Sequence, residues 1–284
     1  MRPTPEDALE SLVGRIDQVP PGGIAPDTVP TGFPSLDRTL GGGFRRQDLV
    51  VLCGDVGSGK SALGLAIALR SARAGVPTLV LSGEMSADRM LERALALEGR
   101  ASIDDLRQGR LDPAARASVG AAAVRMRDVP LLLSPLAGER FEEVTALLDQ
   151  VPGRSLLVVD SLQLTPAPRP AARVAERVAL AVRALKSLAL ERNLAVLALA
   201  QLPGLRRERP DPRPTLDDLG AFGAIKQSAD LVLALYREEM YRPAHGVEGA
   251  TELIIAKNRN GPNGFVDLYF HARHLRFEDM LDPG

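Results

Sequence analysis

The sequence predicts an α/β fold: a mainly parallel central sheet flanked by helices, with an antiparallel edge at its C-terminal end. Three observations point there. The apolar runs Asp48–Cys53, Thr78–Ser82, Ser155–Asp160 and Leu194–Ala200 read as strands, and the unbroken run Ser155–Asp160 has the signature of one buried on both faces. Segments with apolar residues at helical spacing lie between them, the alternation that parallel strands and crossover helices require. From Leu231 onward, strand-like runs follow one another without such segments, at Leu231–Tyr236, Leu253–Ala256, Phe265–Phe270 and His274–Phe277. The last two read as edge strands.

Composition sets outer limits. A length of 284 residues suits a single α/β domain with a short extension. Hydrophobic residues make up 45%, ample for a core, but aromatics are 4% and Trp is absent, so packing rests on Leu, Val, Ile and Ala. A formal net charge of −1 selects no partner, and any nucleic-acid surface has to be a local patch. The single cysteine excludes an internal disulfide, and Cys53, ending an apolar strand, reads as a small buried residue. No apolar run approaches the length that crosses a bilayer, and the N-terminus lacks a charged-then-apolar leader pattern. The chain therefore reads as soluble and cytoplasmic, with no membrane partner.

Taken in order, Thr4 and Pro5 look like an N-cap and first helical position, and Ala8, Leu9, Leu12, Val13 and Ile16 fall on one helical face. That face needs cover, either from its own domain or from a neighbouring subunit. Val19–Pro34 is rich in Pro and Gly and reads as a linker. Residues 1–28 are accordingly set as an N-terminal helix and linker, and 29–284 as the main domain.

The run Asp48–Cys53 leads into Gly54-Asp55-Val56-Gly57-Ser58-Gly59-Lys60-Ser61, which fits the P-loop pattern G-x-x-x-x-G-K-S/T. A helical pattern follows from Ala62 to about Ala74, with Gly75 as its stop. Glycines at 54, 57 and 59 let successive N–H groups turn inward without Cβ clashes. Those donors and the positive end of the helix form a cradle for phosphate oxygens. Lys60 adds a point charge near the β- and γ-phosphates, and Ser61 offers a hydroxyl to Mg²⁺. Binding of a nucleoside triphosphate is the firmest functional statement the residues carry.

Glu84 follows the strand Thr78–Ser82, and Ser86 caps a helix carrying Met90, Leu91, Ala94, Leu95 and Leu97. Asp112-Pro113 opens an Ala-rich helix, Val129–Ser134 is strand-like, and Phe141–Leu148 is helical. Val174, Val178, Val182, Leu185 and Leu188 mark a long helix. In a doubly wound sheet, ligands sit beyond the carboxyl ends of the strands. Glu84, Asp160 and Gln201 all lie at such ends, so they aim at the crevice of the glycine loop. Asp160 suits a carboxylate that holds Mg²⁺ beside Ser61, or else a helix cap. Glu84 suits a group that orients or deprotonates water, or else a solvated loop acid. Gln201 suits a sensor of the γ-phosphate, or else a generic strand-end residue. His271 and His274 have no third His and no Cys nearby and read as surface or edge-strand residues, not metal ligands.

Six segments then come in a recognisable order: Pro30-Thr31-Gly32-Phe33-Pro34-Ser35-Leu36-Asp37, the P-loop, Ser82-Gly83-Glu84-Met85-Ser86, Asp160-Ser161-Leu162-Gln163-Leu164, Ala198-Leu199-Ala200-Gln201-Leu202, and Ile255-Ala256-Lys257-Asn258-Arg259-Asn260-Gly261-Pro262. From about Val29 to Phe277 the chain resembles the C-terminal RecA-like ATPase domain of DnaB-type replicative helicases. The resemblance implies a RecA-like P-loop ATPase fold with ATP and Mg²⁺ as cofactors. It implies a homo-oligomeric, hexameric ring with ATP between neighbours, acting as a motor on single-stranded DNA and unwinding duplex. Lys257 and Arg259 match the pair that reaches the next subunit's nucleotide, with Arg259 as the finger that neutralises transition-state charge, an effect worth ~10³–10⁵ in rate. On this reading the catalytic residues are Lys60, Glu84, Gln201, Lys257 and Arg259. Such contacts are heterologous, with P-loop and finger on opposite faces, and the rotation must close. The helix at about Pro5 to Ile16 falls where the family's linker helix packs on a neighbour.

Three departures from the family stand out. The family's N-terminal helical domain, which supports ring architecture and primase contact, has no counterpart in residues 1–28. The channel loop, Leu-Arg-Glu-Ser-Gly in the family, reads Leu219-Gly220-Ala221-Phe222-Gly223 here, followed by Ala224-Ile225-Lys226-Gln227. Losing its Arg weakens the electrostatic hold on a strand; Gly223 offers a backbone donor, Lys226 a charge, and Phe222 either a stacking face or an apolar loop residue. Lastly, Leu205–Arg213 carries four arginines in a Pro-rich loop, either a channel lining or a solvated loop. These departures keep a second reading in play, a DNA-independent regulatory or partner-remodelling ATPase.

Overall fold

The computed structural model describes residues 4–17, 19, 27–136, 138, 140–151, 156–203, 209–243 and 245–280. Helix α1 (Pro5–Asp17) opens as its sequence requires: the Asp7 amide donates to Thr4 Oγ1 at 3.2 Å, and the Thr4 hydroxyl donates back to the Asp7 carboxylate at 2.6 Å. Its Leu9, Leu12 and Val13 are 62%, 45% and 54% exposed, so these three side chains are left largely uncovered by the described residues.

The Pro- and Gly-rich stretch read as linker through Pro34 is structured from residue 27 onward. Strand β1 (Thr28–Val29) pairs antiparallel with β2 (Phe44–Arg45), and helix α2 (Pro34–Leu40) lies between them. The Asp37 carboxylate accepts from the Thr31 amide (2.8 Å), the Thr31 hydroxyl (2.7 Å) and the Gly32 amide (3.0 Å), which closes a tight turn. Gly32 supplies the positive φ of 74°. At Thr31 and Gly32 the composition that read as a linker is the chemistry of a fixed turn.

The main elements follow: β3 (Leu49–Gly54), α3 (Lys60–Arg73), β4 (Thr78–Ser82), α4 (Ala87–Gly99), α5 (Ile103–Arg107), α6 (Pro113–Arg127), β5 (Leu131–Pro135), α7 (Glu142–Leu148), β6 (Leu156–Asp160), α8 (Val174–Arg192), β7 (Ala195–Gln201), α9 (Ala224–Ser228), β8 (Leu231–Arg237), β9 (Ala250–Asn258), β10 (Gly264–His271) and β11 (Arg276–Asp279). Ser86 and Asp112 cap α4 and α6 as expected, each accepting from the amide three residues on. The sheet runs β11-β10-β9-β8-β3-β7-β6-β4-β5. Strands β8, β3, β7, β6, β4 and β5 are parallel, and β9, β10 and β11 extend the β8 side antiparallel. The expected α/β architecture, parallel centre and antiparallel flank are all present. Strand β10 is internal, however; the edges are β11 and β5.

The core has two layers set by strand alternation. Val50 and Leu52 of β3 face α3 and α4 with Leu63, Ile67 and Met90. Leu49, Val51 and Cys53 face the other way, toward α8 with Val178 and Leu185. Both layers are buried, which is why β3, β6 and β7 read as unbroken apolar runs.

One polar junction sits beneath β3. Asp230, 5% exposed, precedes β8 and accepts from the Leu49 amide at 2.8 Å and from Lys186 Nζ at 2.6 Å. Beside it, Asp48 accepts from Asn260 Nδ2 at 2.6 Å. Burial, and then the negative charge of Asp230, push the Asp48 carboxyl up to about 6. A carboxyl that binds its proton more tightly folded than unfolded favours the fold where it is protonated. That contribution fades as pH rises from the ordinary 3.8 through about 6. Asp48→Asn, which keeps an acceptor for Asn260, is expected to raise Tm more at about pH 7.5 than at about pH 4.5 in thermal unfolding; an equal shift at both contradicts this origin.

Candidate nucleotide-binding site

The site grows from the carboxyl end of β3. Gly54 ends that strand, paired with Gln201 of β7 on one side and Leu235 of β8 on the other. The loop beyond it turns at Gly57 (φ 75°) and Gly59 (φ 101°) before α3 begins at Lys60. Gly59 is required twice: its φ is left-handed, and a Cβ there would lie 2.9 Å from Phe277 Cζ. Within the loop the Ser58 amide and Lys60 Nζ both donate to the Asp55 carbonyl, at 3.2 and 2.7 Å. The Ser58 hydroxyl is buried without a hydrogen-bond partner.

Five of the expected residues outside the glycines gather here. Ser61 and Asp160, the two expected metal-holding residues, line the same small cavity. Asp160 is 6% exposed; burial, foremost, pushes its pKa up, and the Ser61 hydrogen bond opposes the shift. Burial likewise lowers the Lys60 pKa, against the pull of Asp160 and Asp55. Glu84 is exposed at the end of β4, and its charge reaches both Lys60 and Asp160. Partly desolvated charges of this kind gain from a polar ligand that brings both signs, and a triphosphate with Mg²⁺ does so. Gln201 ends β7 in register with Gly54 and is exposed; its carbonyl accepts from the Gln163 side chain at 3.1 Å.

Two further residues reach the loop. Arg237, the last residue of β8, donates to the Gly57 carbonyl at 3.2 Å, and the Tyr241 hydroxyl donates to the Asp55 carboxylate at 3.3 Å. Sequence reasoning missed them. The strand-end argument that singled out Glu84, Asp160 and Gln201 applies equally to Arg237, once β8 is known to lie beside β3. Tyr241 carried no such signal; it stacks on Tyr236 with ring centroids 5.1 Å apart.

Lys257 and Arg259 lie elsewhere. Asn258 pairs with Leu231, at the start of β8, and the Arg259 amide donates to the Asp230 carbonyl at 2.9 Å. Since β8 and β3 are parallel, this is the end of the sheet away from the glycine loop. Leu231 to Leu235 alone spans about 13 Å at ~3.3 Å per residue, before the loop begins.

The loop residues also find definite places. Phe222 is 7% exposed, so it is a core residue and has no open face for a base. Lys226 donates to Asp217 at 2.6 Å. Gly220 has φ 48° and ψ −118°, a conformation that only glycine adopts freely. Arg209 is bound by both oxygens of Asp218, and Arg213 by both of Glu252. Arg206 and Arg207 lie outside the described residues. His271 bonds Glu278 at 2.9 Å, and no group of three or more His, Cys, Asp or Glu gathers as a metal cluster among the described residues. No helix among them is long and apolar enough to cross a membrane.

A parallel sheet with a glycine loop at the end of its central strand, a buried carboxylate at the next strand but one, and an antiparallel flank defines a RecA-like P-loop protein. The sequence model of the DnaB-like helicase C terminal domain matches residues 28–279, and this chain belongs to that family. It is 34% identical over 257 residues to the replicative DNA helicase DnaB of Geobacillus stearothermophilus, covering 89% of this chain and 56% of that protein. The chain thus spans little more than half the length of the curated relatives it matches. Among solved structures, an isolated ATPase domain superposes with a TM-score of 0.88 at 26% identity, over 99% of this chain and 100% of that one. A DnaB-like replicative helicase studied with its primase interactions superposes with a TM-score of 0.88 at 27% identity, over 96% of this chain and 68% of that one.

Gly59→Ala is expected to lower nucleotide affinity about tenfold or more while the fold persists, because the strain falls on the loop and on the Phe277 ring. Titration with a fluorescent nucleotide, beside a thermal melt, checks this.

Proposed function

We propose that this chain is the ATP-hydrolysing motor of a hexameric ring that acts on single-stranded DNA and unwinds duplex. The reading makes 29–284 the ATPase domain and 1–28 a helix and linker ahead of it. One observation carries it: Arg259 and Lys60 sit at opposite ends of one parallel sheet, so Arg259 can reach this chemistry only in a neighbour's site. A face that offers a P-loop and a face that offers a finger build a closed ring by repetition. The exposed Leu9, Leu12 and Val13 of α1 supply an apolar surface for that neighbour. The relatives' description as replicative DNA helicases supports DNA as the substrate.

In the chemistry, the loop amides of Gly54, Asp55, Val56, Gly57, Ser58 and Gly59 and the Lys60 ammonium bind the phosphates. Ser61 and Asp160 hold Mg²⁺, which supplies charge neutralisation when bound. Glu84 orients the attacking water and accepts its proton; Gln201 hydrogen-bonds the γ-phosphate region. Lys257 and Arg259 of the adjoining subunit approach the same phosphate, and Arg259 offsets the charge that develops as the bond breaks.

The engaged Arg209 and Arg213, and glycine and alanine at 220 and 221, favour the second reading, in which the ATPase engine works without a strand. ATP turnover with and without single-stranded DNA, taken with solution mass, separates the two. The motor reading expects a mass of several subunits and DNA-stimulated turnover. A strand that neither binds at low salt nor alters turnover leaves the DNA-independent ATPase. Lys60→Ala is expected to abolish nucleotide binding or turnover. Arg259→Ala is expected to cut turnover about 10³-fold with nucleotide binding nearly intact, since its role lies in the transition state.

A further inference from the structure

The residues of the finger pair are not loose. Arg259 Nη1 donates to Asp230 Oδ1 at 3.1 Å, and Nη2 donates to the Gln227 carbonyl at 2.5 Å. Lys257 Nζ donates to the carbonyls of Lys226 and Ala229, each at 2.6 Å. Three carbonyls from the end of α9 and the loop after it, plus one buried carboxylate, therefore hold both cations. Asp230 is itself fixed: its Oδ2 accepts from the Leu49 amide and Lys186, and its own amide donates to the Leu49 carbonyl at 2.9 Å. The carboxylate thus divides its oxygens, one for the strand and Lys186, the other for Arg259. The Arg259 side chain stays 48% exposed, so it is anchored at its head while open to a neighbouring molecule.

We propose that Asp230 is a positioning residue that sets the direction of Arg259, so that the arginine meets the adjoining subunit's nucleotide already oriented. This rests on the between-subunit reading given above. The physical reason is entropy: a free arginine must surrender its rotamers as it reaches the transition state, whereas a held one has surrendered them on folding. A bland alternative is that Asp230 and Arg259 merely finish α9, because cations favour helix C-termini. The two differ in what Asp230→Asn does. Asn has a single acceptor oxygen. If that oxygen stays on the Leu49 amide, the NH₂ faces Arg259, donor to donor, and the finger is released while the strand contact survives.

The test uses full-length protein, with pairs of variants co-expressed under two tags so that mixed assemblies form. Asp230→Asn is expected to lower kcat about 10- to 100-fold with nucleotide Kd within about threefold, the split expected of misplacement in the transition state. Adding Arg259→Ala to it should bring turnover no lower than Arg259→Ala alone. Mixed with Lys60→Ala, whose own site is dead but whose finger is intact, Asp230→Asn and Arg259→Ala should both regain turnover. Lys186→Met, which removes the other cation from Asp230, should cost stability yet keep kcat. If Asp230→Asn folds poorly, Asp230→Glu carries the same test, since one methylene displaces the carboxylate. A kcat within twofold of the unaltered chain overturns the proposal, as does a loss additive with Arg259→Ala. So does rescue by Lys60→Ala of Arg259→Ala but not of the Asp230 variant. Failure of Arg259→Ala itself to be rescued overturns the between-subunit reading, and the role of Asp230 with it.

Discussion

Parallel pairing of β3 with β7 and β8 is the constraint from which the rest follows. It sets Gly54 level with Gln201 and Leu235, and Val50 level with Leu197 and Leu231. The carboxyl ends of the parallel strands then lie at the end of the sheet that carries the phosphate loop, and the residues before them at the other. A one-residue slip of β8 would exchange its two faces, which both layers of the core forbid. Arg237 reaches the Gly57 carbonyl and Asp230 holds Arg259 because Arg237 ends the seven-residue strand β8 and Asp230 immediately precedes it.

The two ends handle charge differently. At the loop, Lys60 and Asp160 are drawn out of water close to one another, and burial disfavours the charged form of each. Their electrostatics are therefore poised for an added ligand. At the far end, Asp230 is buried but met by two cations and a backbone amide, so its site is complete within the chain. Completeness there keeps an arginine still without hiding it.

The segment between β7 and β8 carries two of the three departures from the family's pattern. Gly220 takes a backbone conformation closed to side chains, Phe222 is drawn into the core against the α8 layer, and Arg209 and Arg213 are committed to Asp218 and Glu252. The loop is shaped by its own side chains, and its free charge is small among the described residues. Yet it leads directly into α9, whose last carbonyls hold Lys257 and Arg259.

Local chemistry settled a good deal before any coordinates. The P-loop string, the apolar runs of β3 and β7, the double-sided burial of β6, the caps at Ser86 and Asp112 and the carboxylate closing β6 are all properties of short windows, and short windows are what a sequence displays. The linker reading extended too far over residues 27–34 because Gly and Pro serve fixed turns and connecting segments alike; the reach of the Asp37 carboxylate marks the turn there. Strand order, by contrast, depends on which apolar faces meet across long crossovers. That is why Arg237 and Tyr241 beside the loop, the burial of Phe222, and the Asp230 junction beneath Arg259 appear only in three dimensions. Residues far apart in the chain became neighbours there, and no periodicity or motif encodes that proximity.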